Sequence, residues 1–166
     1  YFTSFNKKST QVLRLDKRGA ASVWMDETEG INGTFLSFDG KLLGAQAYGH
    51  RIVKVAFGDL TAPKYETLLE DESLNQPNDV CQSPSGDLFF TDPDFKNRQT
   101  SAVYHLAATG KVTKIIDDMP LPNGIITSLD GKTLYVGDSH QAIWRSYPIN
   151  EDGTVGAGKT FLDPDT

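Results

Sequence analysis

Short apolar stretches alternate with polar turns along this chain, and no stretch shows the spacing of an amphipathic helix. Residues 42–45, 88–91 and 134–137 are apolar runs that each follow a glycine turn, which is typical of strands. Other segments alternate apolar and polar residues with a period near two, as half-buried strands do: residues 1–3, 11–15, 51–55, 102–106, 111–116 and 142–146. The pattern predicts an all-β protein.

The pattern recurs with a nearly constant period. Asn32, Asn78 and Asn123 each open a short apolar strand, and a glycine follows each of them eight positions later. The asparagines are 46 and 45 residues apart, within the length of a four-stranded β-propeller blade. We therefore predict one propeller domain over residues 1–166, apparently incomplete at both ends, with repeat units of about 1–29, 30–74, 75–119 and 120–166.

The period also predicts how much of a propeller is represented. At 46 residues a unit, 166 residues hold about 3.6 units, and an open ring would expose sheet edges and apolar blade faces. We expect a fragment, an incompletely represented chain, or a unit that self-associates with further copies. A closed four-bladed ring would be short by part of a blade.

Composition and charge exclude several kinds of partner. The net charge is −6 and the basic residues are scattered, which argues against nucleic acid because phosphate contacts need clustered Lys and Arg. No apolar run is long enough to span a membrane, so we expect a soluble protein without a membrane partner. Cys81 is the only cysteine, and its apolar surroundings predict a buried, inert thiol. The compartment stays open among bacterial cytoplasm, periplasm and the exterior, since the first residue is Tyr1.

The repeated asparagine indicates chemistry at the centre of the ring. The innermost strand of every propeller blade runs beside the central channel, so equivalent positions converge there. Amide oxygens from several blades, together with one or two carboxylates, suit a hard divalent cation. The alternative is turn chemistry, because Asn and Gly both tolerate left-handed backbone, and this applies most to Asn32-Gly33. Asn78 and Asn123, which follow prolines, are the stronger functional candidates.

Two motifs make the chain similar to a known family. Residues 74–80, followed by 86–93, closely resemble the signature of the gluconolactonase, regucalcin (senescence marker protein) and luciferin-regenerating-enzyme family. Residues 111–118, then 122–126 and 130–136, resemble its bacterial gluconolactonase-type branch. The resemblance implies a six-bladed β-propeller, about four blades of which are represented in this chain. It also implies one divalent metal ion in the channel and hydrolysis of a sugar lactone or similar ester.

The resemblance also implies roles for individual residues. Asn123 would be a metal ligand, Asn78 a metal ligand or a contact to the substrate, and Asp79 a nearby carboxylate, which we assign as catalytic. Calcium is the expected ion, with zinc, magnesium and manganese as alternatives. The family's glutamate and aspartate ligands would fall outside this chain, and we do not transfer their roles to Asp163 or Asp165. The chain would then hold about half of the metal site.

The substrate-binding candidates are Asn32, Gln46 and Tyr48. Gln46 replaces an acidic residue that is common in some relatives, and Tyr48 lies in a loop that could form a pocket wall. Asp92 and Asp138 share the strand-end register of Gln46, where a polar side chain more often caps the adjoining loop.

The other chemistry in the sequence is limited. The three histidines show no metal-ligand spacing, and no serine-hydrolase elbow or phosphate loop occurs. Two functional alternatives remain: a propeller that binds a ligand or partner without catalysis, and a related esterase or phosphotriesterase-like hydrolase.

Overall fold

The computed structural model describes residues 1–5, 9–57 and 64–164, and every regular element within them is a β-strand. The strands are β1 (Phe2–Phe5), β2 (Thr10–Leu15), β3 (Ala21–Met25), β4 (Ile31–Leu36), β5 (Leu42–Gln46), β6 (Arg51–Val55), β7 (Tyr65–Glu70), β8 (Val80–Gln82), β9 (Leu88–Asp92), β10 (Ala102–Leu106), β11 (Val112–Ile116), β12 (Pro122–Thr127), β13 (Thr133–Asp138), β14 (Ile143–Pro148) and β15 (Lys159–Leu162).

These strands form four antiparallel sheets in which hydrogen-bonded neighbours are consecutive in the chain. Blade 1 has the order β1-β2-β3, blade 2 β4-β5-β6-β7, blade 3 β8-β9-β10-β11 and blade 4 β12-β13-β14-β15. Each blade lies within one predicted repeat unit, and the prediction of an all-β propeller fold is confirmed. The boundaries of the domain itself stay a prediction.

A glycine turn joins the first two strands in each of blades 2, 3 and 4. Gly40, Gly86 and Gly131 have φ angles of 77°, 97° and 69°, in the left-handed region that glycine enters without a steric penalty. Each glycine N–H donates to the carbonyl of the serine three residues earlier, at 2.9 Å in all three turns. This repeated turn is the structural basis of the Asn-to-Gly spacing in the sequence.

The hydrophobic core lies between the blades and not inside any single sheet. One cluster joins blades 3 and 4, where Phe89 and Val103 pack with Ile125 and Leu134. Separate clusters fill the interfaces between blades 2 and 3 and between blades 1 and 2. Because each interface needs the opposing faces of two sheets, a blade is stable only beside its neighbours.

Three of the outermost strands are elements that the sequence pattern did not predict: β3, β7 and β15. The residues of β15 are all exposed, and β7 has no buried residue, so neither shows the alternation that reveals a half-buried strand. The outer strand of blade 3 was predicted, and it is β11.

Candidate metal and substrate site

The three repeated asparagine segments lie side by side at the inner edges of blades 2, 3 and 4. The Gly33 N–H donates to the Asn78 carbonyl at 2.6 Å, which joins β4 to the residues before β8. The Ile125 N–H donates to Asp79 Oδ2 at 3.1 Å, which joins β12 to the same segment. The fold therefore brings Asn32, Asn78 and Asn123 onto neighbouring inner segments.

The strand register is irregular at two of these asparagines. The pairing of β4 with β5 shifts between Ile31 and Thr34, and that of β12 with β13 shifts between Pro122 and Ile125. Each irregularity contains an Asn-Gly pair. A bulge of this kind changes the direction of a side chain and interrupts the ladder, a feature frequent beside functional sites.

The asparagine side chains are not used to hold the fold. Asn78 is buried, with 5% of its surface exposed, and its amide makes no hydrogen bond within the described parts of the chain. Asn32 and Asn123 are half-buried, and their amides likewise have no partner among the described residues. None of these amide atoms is among the fully enclosed unpartnered atoms of the described residues, so the amides stay accessible to a ligand. The amide oxygens of Asn78 and Asn123 thus fit the donor chemistry of a hard divalent cation; their roles as ligands stay predictions.

Asp79 is half-buried and links blade 3 to blade 4. The Val80 N–H donates to its Oδ1 at 2.9 Å and the Ile125 N–H to its Oδ2 at 3.1 Å. Burial raises the pKa of the Asp79 carboxyl, and these two backbone N–H groups oppose that rise. The carboxylate therefore has a structural use in addition to the catalytic role predicted for it, and that role is untested.

Thr91 is a site residue that the sequence did not single out. It is fully buried in β9, and its hydroxyl accepts the Asp79 N–H at 3.1 Å. The same hydroxyl donates to the Asn123 backbone carbonyl at 2.7 Å. Its only sequence signal is membership of the motif at residues 86–93.

Three strand-end residues in the same register are buried, and each holds a neighbouring loop: Gln46, Asp92 and Asp138. Gln46 is fully buried, and its Nε2 donates to the Thr28 carbonyl at 2.9 Å, while its Oε1 has no partner in the described structure. Asp138 accepts the N–H groups of His140 and Gln141, so it caps the following loop. The substrate contact predicted for Gln46 stays a prediction.

Asp92, the third member of this register, is a buried carboxyl with an elevated pKa. Its Oδ2 accepts the Asn75 N–H at 2.9 Å and the Asn75 side-chain amide at 3.1 Å. Its Oδ1 has no partner within the described residues. Burial raises the pKa of Asp92 to about 6, against the opposing effect of these hydrogen bonds.

Tyr48 lies in the loop after β5 and is 60% exposed. Its backbone N–H donates to the Glu29 carbonyl at 3.0 Å, and its ring lies 6.4 Å from the ring of Phe5. The ring face is open to solvent at the loop end of blade 2, and its contact with substrate remains a prediction.

The remaining reactive side chains do not gather into a second centre. No group of three or more His, Cys, Asp or Glu residues could hold a metal ion in the described ranges. Asp163 makes an interaction elsewhere, and Asp165 lies outside the described residues. His105 is buried beside Asp87, His50 contacts the Leu74 carbonyl, and Cys81 is buried. None of the described residues belongs to a helix able to cross a membrane.

Fold and site together define a class of protein: a β-propeller with amide side chains presented from its inner strands. The family model for the SMP-30/gluconolactonase/LRE-like region matches residues 2–166, and the chain belongs to this family.

Individual proteins are also similar to this chain. The chain is 30% identical over 149 residues to a gluconolactonase of Zymomonas mobilis, covering 80% of this chain and 40% of that protein. The solved structure of a Xanthomonas campestris gluconolactonase matches with a TM-score of 0.79 at 24% identity, covering 93% of this chain and 56% of the other.

The Agrobacterium tumefaciens regucalcin, described as a calcium-binding protein, matches with a TM-score of 0.69 at 28% identity, over 95% of this chain and 52% of that one. The chain thus spans about half the length of the relatives it matches.

Proposed function

We propose that the complete protein hydrolyses a sugar lactone at the inner-strand asparagines, with a divalent cation, calcium first among the candidates, held beside them. The observation that carries this proposal is the side chain of Asn78, a buried residue whose amide has no partner in the described structure and is not fully enclosed. Its segment lies beside those of Asn32 and Asn123. Membership of the gluconolactonase-type family supports the choice of substrate class.

The amide oxygens of Asn78 and Asn123 are the groups that would hold the cation. They are neutral, and the affinity of calcium sites depends strongly on ligand charge. The described residues add no cluster of carboxylates around them. The proposal therefore requires at least one further carboxylate ligand in the complete protein.

A divalent cation bound in this position supplies polarisation of the lactone carbonyl and a lower pKa for bound water. Asp79 supplies a carboxylate next to Asn78. Each of its oxygens accepts one backbone N–H and keeps a further lone pair, so it can accept a proton from an attacking water.

The substrate would be held by side chains on blade 2. The Asn32 amide has no partner in the described structure and suits a sugar hydroxyl, and the exposed Tyr48 ring offers an apolar face. The unpartnered Gln46 Oε1 is fully buried, so a contact between it and substrate requires the strand end to open.

The test uses the full-length protein and four variants. Hydrolysis of glucono-1,5-lactone is followed by proton release, and calcium binding by calorimetry. We expect Asn78→Ala and Asn123→Ala to weaken calcium binding and lactone turnover at least about tenfold, the lower range for disrupting a metal site. Asn123→Asp should retain or strengthen binding, because it keeps an oxygen donor and adds charge.

Asn97→Ala is the matched control, since Asn97 is an exposed loop asparagine. Unchanged calcium affinity and turnover in both Asn78→Ala and Asn123→Ala would overturn the proposal. A wild-type protein that binds lactone without turning it over would instead favour a binding propeller, and selective turnover of aryl or phosphate esters would favour the related hydrolase.

A further inference from the structure

The Thr91 hydroxyl is a junction between blades 3 and 4. Thr91 lies in β9, and its backbone pairs with the segment ahead of β8: its carbonyl accepts the Asn78 N–H at 2.8 Å, and its N–H donates to the Asp79 carbonyl at 3.0 Å. Its hydroxyl accepts the Asp79 N–H at 3.1 Å and donates to the Asn123 carbonyl at 2.7 Å. One fully buried residue thus contacts all three, Asn78 through its backbone carbonyl and Asp79 and Asn123 through its hydroxyl.

The propeller fold does not itself require a hydroxyl at this position. Thr91 directly precedes Asp92, and the residues that directly precede Gln46 and Asp138 in the same register are Ala45 and Gly137. Neither has a polar side chain, yet blades 2 and 4 form the same antiparallel pairing of their first two strands. Thr91 therefore serves a local purpose between blades 3 and 4.

We propose that Thr91 is a positioning residue that sets the distance and orientation between the Asn78-Asp79 segment and Asn123. The inference rests on the proposed function, in which Asn78 and Asn123 hold one cation together. Their side chains belong to different blades, so a small displacement between blades 3 and 4 changes the separation of the two amide oxygens. The hydroxyl opposes that displacement because it bonds to backbone groups on both sides.

Substitution by valine isolates this role. Thr91→Val keeps the volume and the β-branched shape but removes the hydroxyl, so the Asp79 N–H and the Asn123 carbonyl both lose a buried partner. Thr91→Ser keeps the hydroxyl and removes only a methyl group. The hydroxyl is then the variable that separates these two variants.

Ser101→Ala is the matched control. Ser101 is buried, and its hydroxyl accepts the Asp94 N–H and donates to the Pro120 carbonyl, both at 2.8 Å. It therefore also bridges blade 3 to the segment that leads into blade 4, but it contacts none of the three residues at the candidate site. A purely structural loss should be similar in Ser101→Ala and Thr91→Val.

The experiment measures calcium affinity by calorimetry in the full-length protein, with unfolding midpoints recorded in parallel. We expect Thr91→Val to weaken calcium binding about tenfold, the lower range for residues that orient metal ligands. Thr91→Ser should bind close to wild type, and Ser101→Ala should lose stability without a change in affinity. Equal calcium affinities in Thr91→Val and wild type would overturn the proposal.

Amide hydrogen exchange in the absence of calcium distinguishes this inference from the proposed function. Thr91→Val should accelerate exchange at the Asp79 and Ile125 amides, and Ser101→Ala should not. If wild type shows neither calcium binding nor lactone turnover, the proposed function fails, and the exchange result alone decides whether Thr91 positions the two segments. Unchanged exchange at both amides would reject the positioning role.

Discussion

The close approach of Gly33 to blade 3 makes a sharp prediction about stability. Gly33 is not among the residues with positive φ, so alanine can adopt its backbone conformation and the effect of Gly33→Ala is steric. An added Cβ would run into the Asp79 Oδ1, and it would also lie 2.6 Å from the Asp79 Cα and 2.8 Å from the Asn78 carbonyl oxygen. The last two are backbone atoms, so the two inner segments must separate to admit the methyl group.

The magnitude follows from two effects. Overpacking a close interface lowers stability by about 1–3 kcal/mol. Separation of the segments also weakens the hydrogen bond from Gly33 to Asn78, whose net contribution is about 1 kcal/mol. We therefore expect Gly33→Ala to lower the free energy of unfolding by about 2–4 kcal/mol and to weaken calcium binding, since Asn78 moves.

Gly124→Ala is the matched control at the equivalent position of blade 4. A Cβ there would meet only the ring of Trp144, at 3.1 and 3.5 Å, and Gly124 also lacks a positive φ. Trp144 is half-buried and its ring can tilt, so the loss should be about 1 kcal/mol or less. Replacing glycine by alanine also stabilises the protein by lowering the conformational entropy of the unfolded chain. This contribution is common to both variants and cancels when they are compared.

The assay is urea unfolding followed by far-ultraviolet circular dichroism, because fluorescence would also report the change around Trp144. When the variants share the same m-value, the difference between their unfolding midpoints reports the difference in their free energies of unfolding. Equal destabilisation by Gly33→Ala and Gly124→Ala would refute the argument that backbone contact at Gly33 decides the outcome.

Two buried groups give further predictions. Burial raises the pKa of Asp92 from 3.8 to about 6, so the folded protein binds this proton more tightly than the unfolded chain, and stability should fall as pH rises through that window. Asp92→Asn removes this titration. The free energy of unfolding of the variant, relative to that of wild type, should therefore increase as pH rises from about 4 to 6, by a total of the order of 3 kcal/mol. Urea unfolding at several pH values checks this, and parallel pH profiles for the two proteins would contradict it. Burial also raises the pKa of the Cys81 thiol, so a disulfide reagent at pH 8 should label Cys81 only after unfolding, and rapid labelling of the folded protein would show that the thiol is accessible.

Predictions from the sequence succeeded where the signal is local. The central strands of each blade alternate in burial or are continuously apolar, and the turns that follow the inner strands contain a glycine with positive φ. The outer strand β15 escaped prediction because exposure on both faces leaves no pattern of apolar positions. The sequence also selected Asn78 and Asn123 as candidates, because both follow prolines and recur at equivalent points of the repeat; their roles stay predictions.

Side-chain periodicity and turn chemistry within one blade were enough to predict the inner and central strands, the repeat and the residues that open each inner strand from the sequence. How the blades meet became clear only from the packed structure. The bond from Ile125 to Asp79 spans 46 residues and that from Thr91 to Asn123 spans 32. Contacts of this kind depend on the angle and separation of two packed sheets, which core packing between blades sets, and no spacing within the chain encodes them.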